Sequence, residues 1–247
     1  MIRICNSLSE NGYGITLIGV EFKNSPPLIS KIFEQKRIKC FFKKGIGFYI
    51  EYNIKLFFKL LNLKSDVICC IDLDTIIPVY FSGKIKKAKL VYDAHEYFSE
   101  MKEVITRKSV HYFWKKIEMF FVPKFKSGYT VSYKIAEEFK IKYKVDYEVI
   151  MNVPYLDKSN NLNFETNKKL IYQGAVNQGR GLEYLIPAMK SIDMVLDIYG
   201  DGNFMKQTQN LIEANHLQNK VFLKGKLNPV DLKKITCEYF MGINLVE

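Results

Sequence analysis

The amino-acid sequence predicts an α/β fold with mostly parallel sheets, arranged as two domains. Apolar runs of strand length alternate with longer segments of helical period. The 247 residues are 48% hydrophobic and 26% charged, so the chain is able to bury a sizeable core. Residues 152–167 break the alternation, which then resumes. These three observations divide the chain into two α/β stretches.

The first stretch opens with a helix at Ile2–Asn11, which Gly12 ends because glycine readily adopts the left-handed conformation that closes helices. We expect further helices at Phe48–Leu63, Thr75–Ser82, Val110–Phe121 and Tyr133–Lys140, and strands at Gly14–Val20, Asp66–Ile71, Lys89–Tyr92, Gly128–Val131 and Tyr147–Ile150. Strands that alternate with helices pair in parallel. Residues 1–151 are therefore predicted to form a Rossmann-like domain.

Residues 152–167 have the composition of a linker, with Pro154, Asp157 and several asparagines. Beyond them we expect strands at Lys169–Gln173, Met194–Tyr199, Val221–Leu223 and Met241–Leu245, and helices at Gly181–Ser191, Phe204–Asn215 and Pro229–Tyr239. Residues 168–247 are therefore predicted to form a second Rossmann-like domain.

Basic side chains are concentrated in the first stretch. Of the net charge of +11, residues 1–150 supply +10 (26 Lys and Arg against 16 Asp and Glu), and residues 151–247 supply +1 (11 against 10). This asymmetry indicates a surface for nucleic acid, anionic lipid or a phosphorylated substrate, because clustered lysines attract anions. A solvated lysine-rich surface is the alternative.

The cysteines and the apolar runs argue against several classes of protein. Five cysteines without a Cys-x-x-Cys pair, and without a histidine at zinc-ligand spacing, argue against a disulfide framework and a structural metal. The longest apolar runs, such as Thr75–Phe81, are much shorter than the roughly 18 residues of a membrane-spanning helix. The N-terminus lacks the apolar core of a signal peptide. We therefore expect a cytoplasmic protein.

Ligands bind beyond the carboxyl ends of parallel strands, so the residues that follow each predicted strand are candidate site residues. Asp72 and Asp74 follow the strand at Asp66–Ile71. Two carboxylates in such a position can orient a sugar hydroxyl, but capping of the next helix is the favoured interpretation.

A second candidate lies after the strand at Lys89–Tyr92, where Asp93, His95 and Glu96 stand within four residues. A histidine beside two carboxylates can be held in one tautomer and exchange protons near neutral pH. These residues are the best candidates for proton chemistry. A hydrogen-bonding hub in a surface loop is the alternative.

Two glycine-rich loops are predicted in the second stretch. After the strand at Lys169–Gln173, Gly174 and Gly181 allow close backbone approach, and Arg180 offers a fork of donors for phosphate oxygens. The spacing is neither G-x-G-x-x-G nor the Walker pattern, so a tight turn with an exposed arginine is the alternative. After the strand at Met194–Tyr199 come Gly200, Asp201 and Gly202, which let a ligand or a neighbouring loop lie against the backbone, although such a turn forms without a ligand.

In their order and spacing these motifs resemble those of the GT-B-fold retaining glycosyltransferases of family four, the glycosyl transferases group 1. The resemblance rests on the segments Val91–Glu96, Thr130–Ser132, Val149–Pro154, Tyr172–Arg180, Ile198–Gly202 and Val221–Gly225. It implies two Rossmann-like domains that face each other across a cleft, the first for the acceptor and the second for the nucleotide-sugar.

The resemblance also implies a reaction: transfer of a sugar from a nucleotide-diphosphate-sugar to a glycan or lipid-linked acceptor, with retention of configuration, as in the synthesis of cell-surface polysaccharide. It places Arg180 on the donor diphosphate, with the glycines of the two loops and Asp201 around it. It places Asp93, His95 and Glu96 on the acceptor side. Neither a metal nor a cofactor is required, because a basic residue and a helix terminus can take the role of a metal.

Two departures from the family pattern stand out. Ala175 occupies a position where many members have a second phosphate-binding arginine. The strand that normally precedes a helix like Ile2–Asn11, and the paired-glutamate segment that normally follows a strand like Met241–Leu245, are not in the sequence. The sequence therefore resembles an internal piece of a glycosyltransferase, which we expect to be poorly soluble and not to complete a transfer alone.

The alternative function is that of a catalytically inactive remnant or partner subunit, which binds a membrane or another chain through its basic half. The segment Lys36–Lys44 is basic and aromatic, which suits an anionic membrane surface at the inner face of the membrane. Nucleic-acid binding is supported by the high pI alone, and we expect none.

Overall fold

The computed structural model describes residues 1–153 and 168–245 of the chain, and the side chains of residues 102 and 103 are not part of that description. The chain divides into two units, Met1–Pro154 and Tyr155–Glu247. The predicted linker at 152–167 lies almost entirely outside the described residues. No helix in the described ranges is long and apolar enough to cross a membrane.

The first unit alternates helices and strands. Its helices are α1 (Ile2–Glu10), α2 (Gly45–Leu61), α3 (Ile76–Lys86), α4 (Lys102–Ile105), α5 (Lys108–Phe121) and α6 (Tyr133–Tyr143), and its strands are β1 (Thr16–Glu21), β2 (Glu34–Lys39), β3 (Val67–Ile71), β4 (Lys89–Ala94), β5 (Ser127–Thr130) and β6 (Glu148–Val149). The strands form a parallel pair, β1-β2, and a parallel sheet in the order β3-β4-β5-β6. The predicted α/β fold with parallel sheets is confirmed.

Strand β2 was not predicted from the sequence, because Glu34–Lys39 contains four charged residues and only Ile38 is buried. It forms because its backbone pairs with β1, while its charged side chains form local contacts. Lys36 forms an ion pair with Glu34, with its Nζ 2.9 Å from Oε1. The first half of the segment Lys36–Lys44 is therefore a strand, and its contact with anionic lipid stays a prediction.

The short helix α4 and the last two residues of β4 were also missed. The sequence suggested that β4 ends at Tyr92, but pairing with β5 continues through Asp93 and Ala94. Asp93 therefore lies inside the strand rather than in the loop beyond it. This difference matters for the candidate site.

Four strand edges of the first unit have no partner among the described residues, one each on β1, β2, β3 and β6. Two of them are the side of β1 away from β2 and the side of β3 away from β4. The sequence of β3, Val-Ile-Cys-Cys-Ile, is typical of a strand buried on both faces, yet Val67 is 51% exposed. Ile18 of β1 packs against the same hydrophobic core as Ile68 of β3. The two sheets therefore share a core without backbone pairing between β1 and β3.

The second unit is one parallel sheet with helices between its strands. Its strands are β7 (Lys169–Gln173), β8 (Val195–Tyr199), β9 (Val221–Gly225) and β10 (Met241–Ile243), in the order β10-β7-β8-β9, and its helices are α7 (Leu182–Ala188), α8 (Met205–Ala214) and α9 (Pro229–Thr236). Its core is a separate cluster that includes Leu196, Ile198 and Ile186. The element order matches the sequence prediction.

We predict that the unpaired edges exchange their amide hydrogens faster than the interior strands, because exchange depends on local opening and these edges lack one row of backbone partners. Hydrogen exchange resolved by segment checks this. Amides of β1 and β3 should be less protected than those of β4 and β5. Equal protection in all four strands would show that the edges are covered.

Candidate functional site

The parallel register of β3 and β4 brings the first two predicted site segments together. Ile71, the last residue of β3, pairs with Asp93 of β4, and the next amide, that of Asp72, donates a 3.0 Å hydrogen bond to the Asp93 carbonyl. The Glu96 amide donates to Oδ1 of Asp72 at 3.3 Å. Acidic residues from the ends of two strands therefore meet at one edge of the sheet.

Asp72 does not cap a helix, so the favoured sequence interpretation of this residue is wrong. No side-chain hydrogen bond caps the short 3₁₀-helix at Leu73–Thr75, and the Asp72 carboxylate accepts from the loop after β4 instead. The backbone of Asp72 has φ 53° and ψ 178°, which is strained for any residue except glycine. Strained residues of this kind occur preferentially at functional sites, and Asp72 joins the candidate acceptor residues for that reason.

Asp93 is fully buried, unlike the loop residue that the sequence suggested. The Tyr129 hydroxyl on the neighbouring strand donates to Oδ2 at 2.9 Å. The other oxygen, Oδ1, is buried and has no hydrogen-bond partner within the described ranges. Beyond Asp93, His95 is half-buried and Glu96 is exposed. His95 and Glu96 are therefore open to a ligand, whereas the Asp93 side chain is enclosed within the sheet.

Burial and mutual repulsion change the proton affinity of this acidic cluster. Burial raises the pKa of both Asp72 and Asp74 to about 6, and the charge of Asp74 adds to the effect on Asp72. The pKa of Asp93 is also raised by burial, with the Tyr129 hydroxyl acting against the increase. His95 lies close enough to lower the pKa of Asp72 and Asp93. The cluster can therefore hold a proton just below neutral pH.

The loop that carries His95 and Glu96 is fixed by a buried carboxylate on α5. The Ser99 hydroxyl donates to Oε2 of Glu118 at 2.6 Å, and Nζ of Lys115 lies 3.1 Å from the same oxygen. Glu118 is fully buried, and its Oε2 also accepts from the Tyr143 hydroxyl of α6. Two helices, α5 and α6, thus contact this loop around one oxygen atom.

In the second unit, the two glycine-rich loops lie directly against each other. The Gly174 amide donates to the Tyr199 carbonyl, and the Val176 amide to the Asp201 carbonyl, both at 3.0 Å. A Cβ atom on Gly200 would be 1.8 Å from the Gly174 carbonyl oxygen, and one on Gly202 would be 2.3 Å from that of Val176. These glycines are required by the neighbouring loop, which is one of the two possibilities that the sequence left open.

Two asparagines that sequence reasoning missed fasten these loops together. The Asn203 amide donates to Oδ1 of Asn177 at 3.1 Å, and the Gln178 amide to Oδ1 of Asn203 at 3.4 Å. The sequence signal that could have identified them is the presence of an asparagine beside each glycine turn. Asp201 is exposed, and its carboxylate accepts from the next amide, that of Gly202, at 2.8 Å.

Arg180 is exposed at the carboxyl end of β7, and within the described ranges its guanidinium forms no ion pair or side-chain hydrogen bond. It lies near Tyr172, whose hydroxyl donates to the Ala175 carbonyl at 2.9 Å. Gly181 precedes α7 with φ +68°, and a Cβ atom on it would be 2.6 Å from Leu245. An uncompensated cation therefore stands at a loop of fixed shape, a suitable position for an anionic ligand.

No group of three or more His, Cys, Asp or Glu side chains able to hold a metal ion occurs in the described ranges.

We predict that the stability of the protein falls as pH rises from about 4 to about 6, and that Asp72→Asn reduces this fall by roughly 1–3 kcal/mol. The raised pKa means that folded Asp72 binds more protons than unfolded Asp72 in this interval, so deprotonation favours unfolding. Urea unfolding at both pH values measures the difference. Asp66→Asn, an exposed residue at the other end of β3, is the control. An unchanged pH dependence in Asp72→Asn would contradict the assignment.

Three comparisons relate this chain to known proteins. Residues 156–237 match the family model described as Glycosyl transferases group 1. A comparison with curated proteins finds no match. Among solved structures, TarM from S. aureus has a TM-score of 0.60 at 18% identity over 76% of this chain and 39% of that chain.

Two further structures cover more of the chain. Sucrose-phosphate synthase from Thermosynechococcus elongatus has a TM-score of 0.69 at 14% identity, over 96% of this chain and 66% of that one. HepE from Anabaena, in complex with UDP and glucose, has a TM-score of 0.64 at 13% identity, over 87% and 61%. At these identities the likeness shows the fold. The chain spans about two fifths of the length of TarM.

The family match covers 82 of the 247 residues and contains both glycine-rich loops of the second unit. The neighbours confirm the α/β fold of GT-B glycosyltransferases that the resemblance implied. Together the match and the fold support a place for this chain in the glycosyltransferase superfamily that includes the Glycosyl transferases group 1.

Proposed function

We propose that this chain is part of a retaining glycosyltransferase of family four, which transfers a sugar from a nucleotide-diphosphate-sugar to a glycan or lipid-linked acceptor. The observation that carries the proposal is Arg180, an exposed and uncompensated cation after β7, inside the segment that matches the family model. The structures of TarM and HepE contain UDP, which is the kind of ligand proposed here for the second unit.

The donor half of the reaction depends on charge. When the sugar leaves the nucleotide, negative charge grows on the departing diphosphate, and fixed donors that face this charge lower the barrier. Arg180 presents a planar fork of donors to the phosphate oxygens. The interlocked loops hold the backbone around it, so little reorganisation is needed when the donor binds. Ala175 supplies no second cation, which leaves Arg180 as the main anchor.

The acceptor half depends on proton transfer. An acceptor hydroxyl must lose its proton as it attacks the sugar, and a side chain that titrates near neutral pH suits this task. His95, Glu96 and Asp72 lie together after β3 and β4, with Asp93 buried in β4. We assign His95, supported by the carboxylates of this cluster, to hold the acceptor and its proton. The reaction proposed here assigns no step to a metal ion.

We further propose a cytoplasmic protein that contacts the inner face of an anionic membrane, in a pathway that builds cell-surface polysaccharide. The net charge of +10 on residues 1–150 supports this placement, because anionic lipid attracts clustered basic residues.

A partner subunit without activity of its own is the second candidate function. The unpaired edges of β1 and β3 favour it, because a strand from another polypeptide can pair with such edges. Binding of a nucleoside diphosphate separates the two candidate functions. An inactive remnant that has lost its donor site would bind neither UDP nor GDP.

We predict that Arg180→Ala weakens the binding of UDP or GDP by about ten- to a hundredfold, since a charged hydrogen bond contributes roughly 1.5–3 kcal/mol. Isothermal titration calorimetry measures the affinity. Arg180→Lys should bind with intermediate affinity, because lysine keeps the charge and loses the fork.

Lys190→Ala is the matched control, as Lys190 is an exposed cation beyond the far end of α7. It should bind like the wild type. If Arg180→Ala also binds like the wild type, the donor site does not lie at this loop.

A further inference from the structure

A basic groove lies at the amino-terminal edge of the β3-β4-β5-β6 sheet, on the side opposite the acidic cluster. Its volume is about 640 Å³, and it is lined by the first residues of β3, β4 and β5 together with the end of α3. The charged side chains in its wall are Lys84, Lys87, Lys89, Lys124 and Lys126, and no Asp or Glu lines it.

None of these five lysines has a carboxylate partner within the described ranges, whereas several other lysines of the first unit do. Lys36 pairs with Glu34, Lys39 with Glu21, Lys55 with Glu51, and Lys115 with Glu100 and Glu118. The five groove lysines come from two separate stretches of the sequence, residues 84–89 and 124–126. Their positive charge is therefore concentrated by the fold and left uncompensated.

Tight packing fixes the part of the groove formed by α3. A Cβ atom on Gly83 would be 2.2 Å from Cδ2 of Leu90, so the helix backbone lies directly on β4. Lys87 ends α3 in the left-handed conformation, with φ 56°. This turn leads the chain straight into β4 at Lys89. The spacing of these lysines is thus set by the backbone.

Exposed apolar side chains lie on the two helices that lead into the groove. Phe81 and Ile85 of α3 are 48% and 64% exposed, and Phe120 of α5 is 57% exposed. Nζ of Lys124 lies 4.0 Å from the centre of the Phe120 ring. A soluble polyanion would be held by the lysines alone. Exposed aromatic and aliphatic groups beside uncompensated lysines instead match the boundary between lipid headgroups and acyl chains.

We propose that this groove and its apolar rim dock the first unit on an anionic lipid membrane. The proposal rests on the membrane contact in the proposed function, but not on sugar transfer, and it moves that contact away from the segment Lys36–Lys44. In that segment Lys36 and Lys39 pair with glutamates, and Arg37 donates to the Pro26 carbonyl. The groove lysines remain available to lipid phosphates.

Each lysine near an anionic surface strengthens binding by about fivefold, so reversing two charges should weaken it by about twenty-five-fold or more. The test is co-sedimentation of the full chain with vesicles of phosphatidylcholine alone, or of phosphatidylcholine mixed with phosphatidylglycerol. We expect binding to the mixed vesicles only. The double variant Lys84→Glu, Lys87→Glu should lose it, and Ile85→Ser should weaken it.

The matched control is the double variant Lys43→Glu, Lys44→Glu, which reverses two exposed lysines of the segment that the sequence favoured. It should bind within a few-fold of the wild type. The proposal is overturned if this control loses as much binding as the groove variant, if neutral and mixed vesicles bind equally, or if neither binds. It is also overturned if inorganic polyphosphate binds to the groove while vesicles do not.

A separate measurement keeps this proposal distinct from the proposed function. UDP affinity of the groove variant, measured by calorimetry, should equal that of the wild type, because the groove lies in the first unit and the donor loops lie in the second. Loss of vesicle binding with normal UDP binding supports docking by the groove. If the wild type binds UDP normally but does not bind vesicles, the docking surface is rejected and the proposed donor site is not.

Discussion

The parallel pairing of β3, β4 and β5 determines the distribution of charge in the first unit. Parallel strands bring all their carboxyl ends to one edge of the sheet and all their amino ends to the other. Here the carboxyl edge carries Asp72, Asp93 and His95, held by the hydrogen bond from the Asp72 amide to the Asp93 carbonyl. The amino edge carries five uncompensated lysines. Two surfaces of opposite charge thus follow from one register.

In the second unit, close packing and hydrogen bonds hold two glycine-rich loops in one shape. The glycines allow the backbones to touch, and the hydrogen bonds of Asn177 and Asn203 fasten them. Such loops lose little conformational freedom when a ligand binds, because that freedom was lost on folding. Arg180 then needs only to orient its own side chain. The family match over residues 156–237 covers this assembly.

The sequence predicted most of the strands because β3, β4, β7 and β8 are mostly apolar. It missed β2, whose charged side chains show no apolar period and whose pairing depends on a distant partner. It favoured capping for Asp72, because a motif does not reveal that its carboxylate accepts the Glu96 amide from the loop after β4. The lysine groove could not be predicted either. Its lysines lie in two stretches, 84–89 and 124–126, that only the fold brings together, whereas the basic run at Lys36–Lys44 is partly neutralised by glutamates.

We propose above that the loops after β7 and β8 hold a nucleoside diphosphate. Hydrogen exchange of the protein with and without UDP or GDP tests it directly, because bound phosphates protect the amides that they contact. We expect the nucleotide to add protection against exchange at residues 174–181 and 200–203, and none at the groove of the first unit. Protection confined to other segments, or unchanged exchange at saturating nucleotide, would contradict it.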